Sequence, residues 1–203
     1  MARQIVLASG NRGKLAELAA LFAPLDAQVL PLSHFTTDAA EEIGETFVEN
    51  ALLKARHASA ISGLPAIADD SGLEVDALGG APGVRSARYA GLGASDEANN
   101  RKLLDALDDV ADERRTARFR CVLALVRSAG DSDPIVVDAA WEGRILRQPI
   151  GGHGFGYDPL FQPAGLAVSS AQLSPQEKNR ISHRGLASAR LLQILQRSES
   201  QWR

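Results

Sequence analysis

The chain has 203 residues, 45% of them apolar and 23% charged, with a net charge of −3 and one cysteine. These proportions exclude a disordered tail, a fibre or a low-complexity segment, and the length suits one domain, residues 1–203, or two lobes sharing a core. The slight acidity argues against a grip on polymeric nucleic acid, which needs a basic face, and the lone Cys121 allows no intramolecular disulfide, which suits a reducing, cytoplasmic setting. The N-terminus enters a strand pattern without the apolar stretch of a signal peptide. No run of about 18 apolar residues exists, so no membrane partner is expected.

Residues 4–9 form a short β-branched run that predicts a buried strand. Gly10-Asn11-Arg12-Gly13 breaks it. From Lys14 the apolar residues Leu15, Leu18, Leu21 and Phe22 recur at helical spacing until Pro24. A second strand is expected around residues 29–32. Five acids follow (Asp38, Glu41, Glu42, Glu45 and Glu49), and Thr46 with Glu49 three residues on is a capping-box pattern. Phe47, Ala51, Lys54, Ala55 and Ala58 continue that helix to about Ile61, where Gly63 and Pro65 end it. Residues 66–69 predict another short strand, finishing on two adjacent acids, and residues 73–78 a further one. Residues 79–93, rich in glycine and carrying Arg85 and Arg88, read as an ordered loop.

Residues 95–107 predict an amphipathic helix with Ser95 as its N-cap. Residues 118–127 read as a strand, 128–134 as a polar turn and 135–141 as the returning strand of an antiparallel hairpin. Residues 151–159 form a second glycine loop. A helical turn starts at 174–179, a last helix covers 186–196, and 198–203 reads as a frayed tail. Strands that alternate with helices early and pair as a hairpin later predict an α/β chain with a mixed sheet.

Five segments carry candidate chemistry. Ser9-Gly10-Asn11-Arg12-Gly13-Lys14 places glycines, backbone N–H groups and a lysine at a helix start, where anions bind. It falls short of a P-loop, because Ala8 and Leu15 stand where that pattern needs glycine and Ser or Thr. A tight βα turn with a solvated lysine fits the same spacing. Asp69-Asp70-Ser71-Gly72 sets two carboxylates at a strand end, where α/β folds place catalytic groups, and such hard oxygens suit Mg²⁺. A turn acid plus an N-cap is the plainer alternative. The Glu41–Glu49 acids read as a solvated helix face unless they fold back towards Asp70, and Asn50 and Lys54 share one helix face. Phe155-Gly156-Tyr157-Asp158 offers rings for a base to stack on, worth about 1–3 kcal/mol per base, or a structural turn with Phe155 in the core. Lys178 with His183 and Arg184 supplies donors for a carbonyl or phosphate oxygen near a helix start. His34, His57 and His153 lack ligand spacing, so no zinc site is expected.

In this order the segments resemble the inosine triphosphate pyrophosphatase family, which hydrolyses noncanonical purine nucleoside triphosphates. The resembling stretches are residues 7–18, 40–55, 66–91, 154–161 and 177–185. They depart from the family pattern only slightly, with Ser9 where many members have Thr and His153 at a variable position. The resemblance implies an elongated central mixed sheet with flanking helices, two lobes around a substrate cleft, and a homodimer. It implies that Ser9, Gly10, Asn11, Arg12, Gly13, Lys14 and Lys54 hold the triphosphate. Glu41, preferred over Glu42 by motif alignment, would bind Mg²⁺ with Asp70, beside Asp69. Asp70 would accept the proton of the attacking water, and Ser71 would contact substrate. Phe155, Gly156, Tyr157, Asp158, Lys178, His183 and Arg184 would form the base and sugar pocket. A similar-fold hydrolase for other modified nucleotides, or a nucleotide sensor without turnover, are the alternatives. The matched purine segments speak against the first and the acid pair against the second.

Overall fold

The computed structural model describes residues 3–9, 27–38 and 40–197. The loop residues Gly10, Asn11, Arg12, Gly13 and Lys14, the helix expected after them and the tail 198–203 lie outside the described residues. Among the described residues six strands form one sheet: β1 (Arg3–Leu7), β2 (Ala27–Pro31), β3 (Ala66–Val75), β4 (Thr116–Val126), β5 (Ile135–Ile145) and β6 (Phe161–Pro163), in the order β2-β1-β3-β4-β5-β6. The longer helices are α1 (Phe47–Ser62), α2 (Asp96–Ala106), α3 (Pro175–Ile181) and α4 (His183–Arg197). β1 runs parallel to both β2 and β3, with Ile5 opposite Val29 and Leu7 opposite Ile67. β6 runs antiparallel to β5, with Ile145 opposite Phe161. The sheet is therefore mixed. β4 and β5 are neighbours joined by residues 127–134, a connection too short for the crossover that a parallel pair needs.

Most expected elements form close to their expected bounds, and the exceptions are instructive. Two strands were expected on either side of Asp69-Asp70-Ser71-Gly72. Instead β3 runs unbroken through that tetrapeptide, with its first five residues all buried. Packing on both faces of a central strand outweighs the turn preference of Asp, Ser and Gly. The acid pair thus sits inside the strand and not at its end. β6 has three residues, too few to show alternation in sequence.

The chain divides into two compact units, one of Met1–Asp70, Cys121–Asp138 and Leu186–Arg203, the other of Ser71–Arg120 and Ala139–Gly185. In the first, α1 turns Phe47, Asn50, Ala51, Ala55 and Ala58 inward, and α4 buries Ala187, Leu191 and Leu195 at helical spacing. Their strand partners Val6, Leu7, Ile67, Leu123 and Leu125 are no more than 1% exposed. The second unit has its own core, in which Leu73, Val75, Leu103, Leu107, Phe119, Trp141, Phe161 and Leu173 pack together. Burying each such side chain contributes about 1.5–3 kcal/mol. Arg115 is buried there with no carboxylate bonded to it; its guanidinium donates to the carbonyls of Leu107 (2.7 Å), Ile145 (3.0 Å) and Leu146 (3.2 Å), tying the end of α2 to β5.

Candidate active site

The first group of expected residues meets in the first unit. α1 begins with the predicted capping box: Thr46 Oγ1 accepts from Glu49 N (3.2 Å), and Glu49 Oε2 accepts from Thr46 N (3.0 Å) and Glu45 N (2.8 Å). One position further, the buried Asn50 clamps the same segment, accepting from Gly44 N at 2.8 Å and donating to Gly44 O at 3.3 Å. Glu41, Glu42, Glu45 and Glu49 stay exposed, while the segment that carries the first three is tied to the start of α1 through Asn50 and Glu49. One turn on, Lys54 Nζ reaches Asp70 Oδ1 at 2.6 Å and Glu42 Oε1 at 3.1 Å. Of the two adjacent acids it is Glu42 that meets the lysine, and both Glu41 and Glu42 are exposed.

Strand alternation sends Asp69 and Asp70 to opposite faces. Asp69, 2% exposed, accepts from the thiol of Cys121 on the neighbouring β4 at 3.2 Å. Asp70 gives Oδ1 to Lys54, while its Oδ2 is buried with no hydrogen-bond partner. Ser9 follows the C-terminal end of β1, the strand end at which α/β sheets bind ligands. Ser71 comes directly after Asp70, half-buried.

Three carboxylates (Glu42, Asp69 and Asp70) act on the Lys54 ammonium, and the titrations of Lys54 and Asp70 reflect them. Burial works to lower the Lys54 ammonium, but Asp70, then Glu42 and Asp69, outweigh it, and the net direction is upward. Burial pushes the Asp70 carboxyl up; Lys54 pulls it down, but Glu42 and Asp69 push the same way as burial, and it ends above the ordinary aspartate value. Among the described residues no three His, Cys, Asp or Glu side chains converge as a ready-made ligand set. The donors nevertheless fit a hard divalent cation. Asp70 Oδ2 is a buried acceptor with no hydrogen-bond partner and further carboxylates close by, and small divalent cations bind one or two carboxylates while keeping several waters.

The second group meets in the second unit. Phe155, 40% exposed, lies under two cations, with Lys178 Nζ at 5.2 Å and Arg184 Cζ at 5.8 Å from its ring centre. Such contacts are worth about 0.5–2 kcal/mol each. Asp158 organises the loop: its Oδ2 accepts from Phe155 N (2.9 Å) and from Lys178 Nζ, and its Oδ1 accepts from Ser170 Oγ (2.8 Å). Gly154 has to be glycine, because a Cβ there would lie 2.0 Å from Asp158 Oδ2.

His183 and Arg184 open α4 and are 5% and 3% exposed. The His183 ring stacks on Phe119, with centroids 4.9 Å apart and planes at 13°. Gly185 lets the turn between α3 and α4 close, since a Cβ there would lie 1.7 Å from Asn179 O. Tyr157 stands apart from Phe155. Its ring belongs to the core and its hydroxyl donates to Ser86 O at 2.8 Å. Burial pushes its hydroxyl pKa well up.

Sequence reasoning missed the Asn50 clamp, the thiol on Asp69 and the Glu42–Lys54 ion pair. A signal existed for Asn50 alone, as an amide at an apolar position of the α1 period. The expected triphosphate loop Gly10–Lys14 lies outside the described residues.

The sheet order and flanking helices make this an α/β protein. The Ham1 family model matches residues 5–194, and the chain belongs to that family. It is 56% identical over 193 residues to a protein of Thioalkalivibrio sulfidiphilus named dITP/XTP pyrophosphatase, covering 95% of this chain and 98% of that one. A protein of Escherichia coli O157:H7 with the same name is 51% identical, again over 95% of this chain and 98% of its own. Among solved structures, a HAM1 protein from Coxiella burnetii superposes with a TM-score of 0.92 at 48% identity, covering 97% of this chain and 100% of that one. The nucleoside-triphosphatase / dITP/XTP pyrophosphatase from Mycobacterium abscessus matches with a TM-score of 0.78 at 43% identity, over 95% and 99%. Among the described residues no helix is long and apolar enough to cross a membrane.

Proposed function

We propose that this chain is a Mg²⁺-dependent nucleoside triphosphate pyrophosphatase that hydrolyses ITP, dITP and XTP to the monophosphate and pyrophosphate. The observation that carries the reading is the buried Asp70 Oδ2, which has no hydrogen-bond partner, beside the Lys54 ammonium. Relatives at 51–56% identity that are named dITP/XTP pyrophosphatase support it.

Asp70 and Glu42 hold the cation, with Asp69 steadied beside them by Cys121. Bound there, Mg²⁺ neutralises phosphate charge and orients the phosphoanhydride. Lys54 binds the phosphate oxygens, and Ser9, Gly10, Asn11, Arg12, Gly13 and Lys14 supply the remaining triphosphate contacts. Asp70 takes the proton of the water that attacks the α-phosphorus, and pyrophosphate leaves with the electrons of the broken P–O bond. A carboxyl pKa raised by burial brings this base closer to neutral, which suits the task.

The base stacks on Phe155. Lys178 and Arg184 present only donors, so they match the 6-keto acceptor of hypoxanthine and xanthine and meet the 6-amino donor of adenine donor against donor. Unpaired buried polar groups of this kind discriminate by up to about 10⁴. Ser71 and His183 complete the substrate contacts. Gly156 and Asp158 act by shaping the Phe155 loop, and Tyr157 by bracing it through Ser86. The partner is a single nucleotide, with no polymeric nucleic acid or membrane, and the protein works as a cytoplasmic homodimer.

The test is a substrate panel of ITP, XTP, ATP, GTP and a modified pyrimidine triphosphate, with Mg²⁺, reading pyrophosphate and orthophosphate separately. Pyrophosphate release from ITP and XTP well above that from ATP is expected. Orthophosphate as primary product, or ATP turned over as fast as ITP, overturns the reading.

A further inference from the structure

Both backbone polar groups of Gly156, the residue after Phe155, are held by one helix. Asp96 Oδ2 accepts from Gly156 N at 2.6 Å, and Asn100 Nδ2 donates to Gly156 O at 2.9 Å. Asp96 and Asn100 are one turn apart on α2, so they share a face and meet Gly156 together. Capping does not account for the carboxylate, because Ser95 Oγ already caps α2 by accepting from Ala98 N at 3.2 Å. Core packing does not account for the pair either, since Asp96 is exposed and Asn100 only half-buried, while the buried residues of α2 are Asn99 and Leu103. On the other flank of the ring, Asp158 holds Phe155 N. The Phe155 backbone is thereby fixed between two carboxylates, one of them carried by α2.

We propose that Asp96 and Asn100 are positioning residues that set the Phe155 ring for the nucleobase and so tune base affinity from the first turns of α2. This rests on the reading of Phe155 as the stacking platform. A helix-borne clamp on the N–H and C=O of the next residue restricts the ring before ligand arrives, and preorganisation of that kind strengthens binding without a new contact.

The test compares Asn100→Ala, Asp96→Ala, Asp96→Asn and Phe155→Ala, and the Phe155→Ala/Asn100→Ala pair, by calorimetric binding of inosine monophosphate and of pyrophosphate. Alanine at Asn100 favours helix and loses one neutral hydrogen bond, for an expected loss of about 5-fold in inosine monophosphate affinity. Asp96→Ala loses a charge-assisted bond and is expected to cost about 10-fold or more, with Asp96→Asn between it and wild type because the amide oxygen still accepts. Pyrophosphate affinity should be retained in all of them, and with ITP the loss should fall on KM and not on kcat. The double variant should bind inosine monophosphate no worse than Phe155→Ala alone, because Asn100 acts through that ring. Equal losses for both ligands, unchanged inosine monophosphate affinity, or full additivity with Phe155→Ala overturns the inference. If Phe155→Ala itself leaves inosine monophosphate affinity intact, the stacking reading falls instead.

Discussion

Asp70→Asn separates what this carboxylate does for chemistry from what it does for folding. The side chain keeps its shape, its amide oxygen still accepts from Lys54, and Lys54 keeps Glu42. What disappears is one negative charge on a buried group whose second oxygen has no partner. Turnover loses its general base, a factor of about 10²–10⁴ in kcat. That equals about 2.7–5.4 kcal/mol of activation free energy.

Stability moves the other way. The Asp70 carboxyl pKa is raised in the fold, so the folded chain holds that proton more tightly than the unfolded one. The stability this group contributes is therefore full below the unfolded carboxylate pKa and is lost as pH rises through the raised value. At pH 7 the ionised form is a cost that asparagine removes. Weakening of the Lys54 bond offsets about 1 kcal/mol of the gain. The net expectation at pH 7 is a Tm equal to wild type or higher by about 2–4 °C, with the difference closing in acid as wild-type Asp70 takes up its proton.

The assay is thermal melting in chelator at pH 7 and in acid, beside pyrophosphate release from ITP with Mg²⁺. Added Mg²⁺ should raise the wild-type Tm more than that of the variant. A variant that melts several degrees lower at pH 7, or keeps kcat within tenfold, refutes the reasoning.

Glu42→Gln, which alters the acid paired with Lys54, should raise the Mg²⁺ concentration for half-maximal activity, and Glu41→Gln should leave it unchanged; the reverse result gives the cation to Glu41, as the motif alignment has it. Asp131 accepts from Arg127 N, Nε and Nη2 and from Asp133 N, which hold its carboxyl well below the usual range. Its contribution is full above the unfolded aspartate value and lost as pH falls through the folded one, so Asp131→Ala should cost about 2–3 kcal/mol at pH 7. Melting should show this as roughly 4–12 °C, without loss of substrate selectivity. Gly185→Ala drives a methyl into Asn179 O and should cost about 1–3 kcal/mol, read as a lower denaturation midpoint with weaker inosine monophosphate binding, because His183 and Arg184 shift with the turn.

Local signals carried much of the fold. The Thr46/Glu49 capping box, the Ser95 cap and the apolar period of α1 each depend on residues within one or two turns, and each forms as expected. The unbroken β3 was hidden, because what holds Asp69-Asp70-Ser71-Gly72 extended is burial between neighbouring strands, and Asp, Ser and Gly by themselves favour a turn. β6 was hidden because three residues carry no period.

The sequence by itself determined the inventory: an ordered set of five segments, specific in combination, naming the acids, lysines and rings of the site and the family they belong to. Tertiary structure decided which members of that inventory meet. It brought Glu42 to Lys54, where Asn50 clamps Gly44 and so fixes how the segment before α1 meets the helix. It gave Tyr157 to the core and left Phe155 exposed between cations, although both are rings in one glycine loop. Only packing tells them apart, since Tyr157 is buried with its hydroxyl on Ser86 O while Phe155 keeps a face open to solvent.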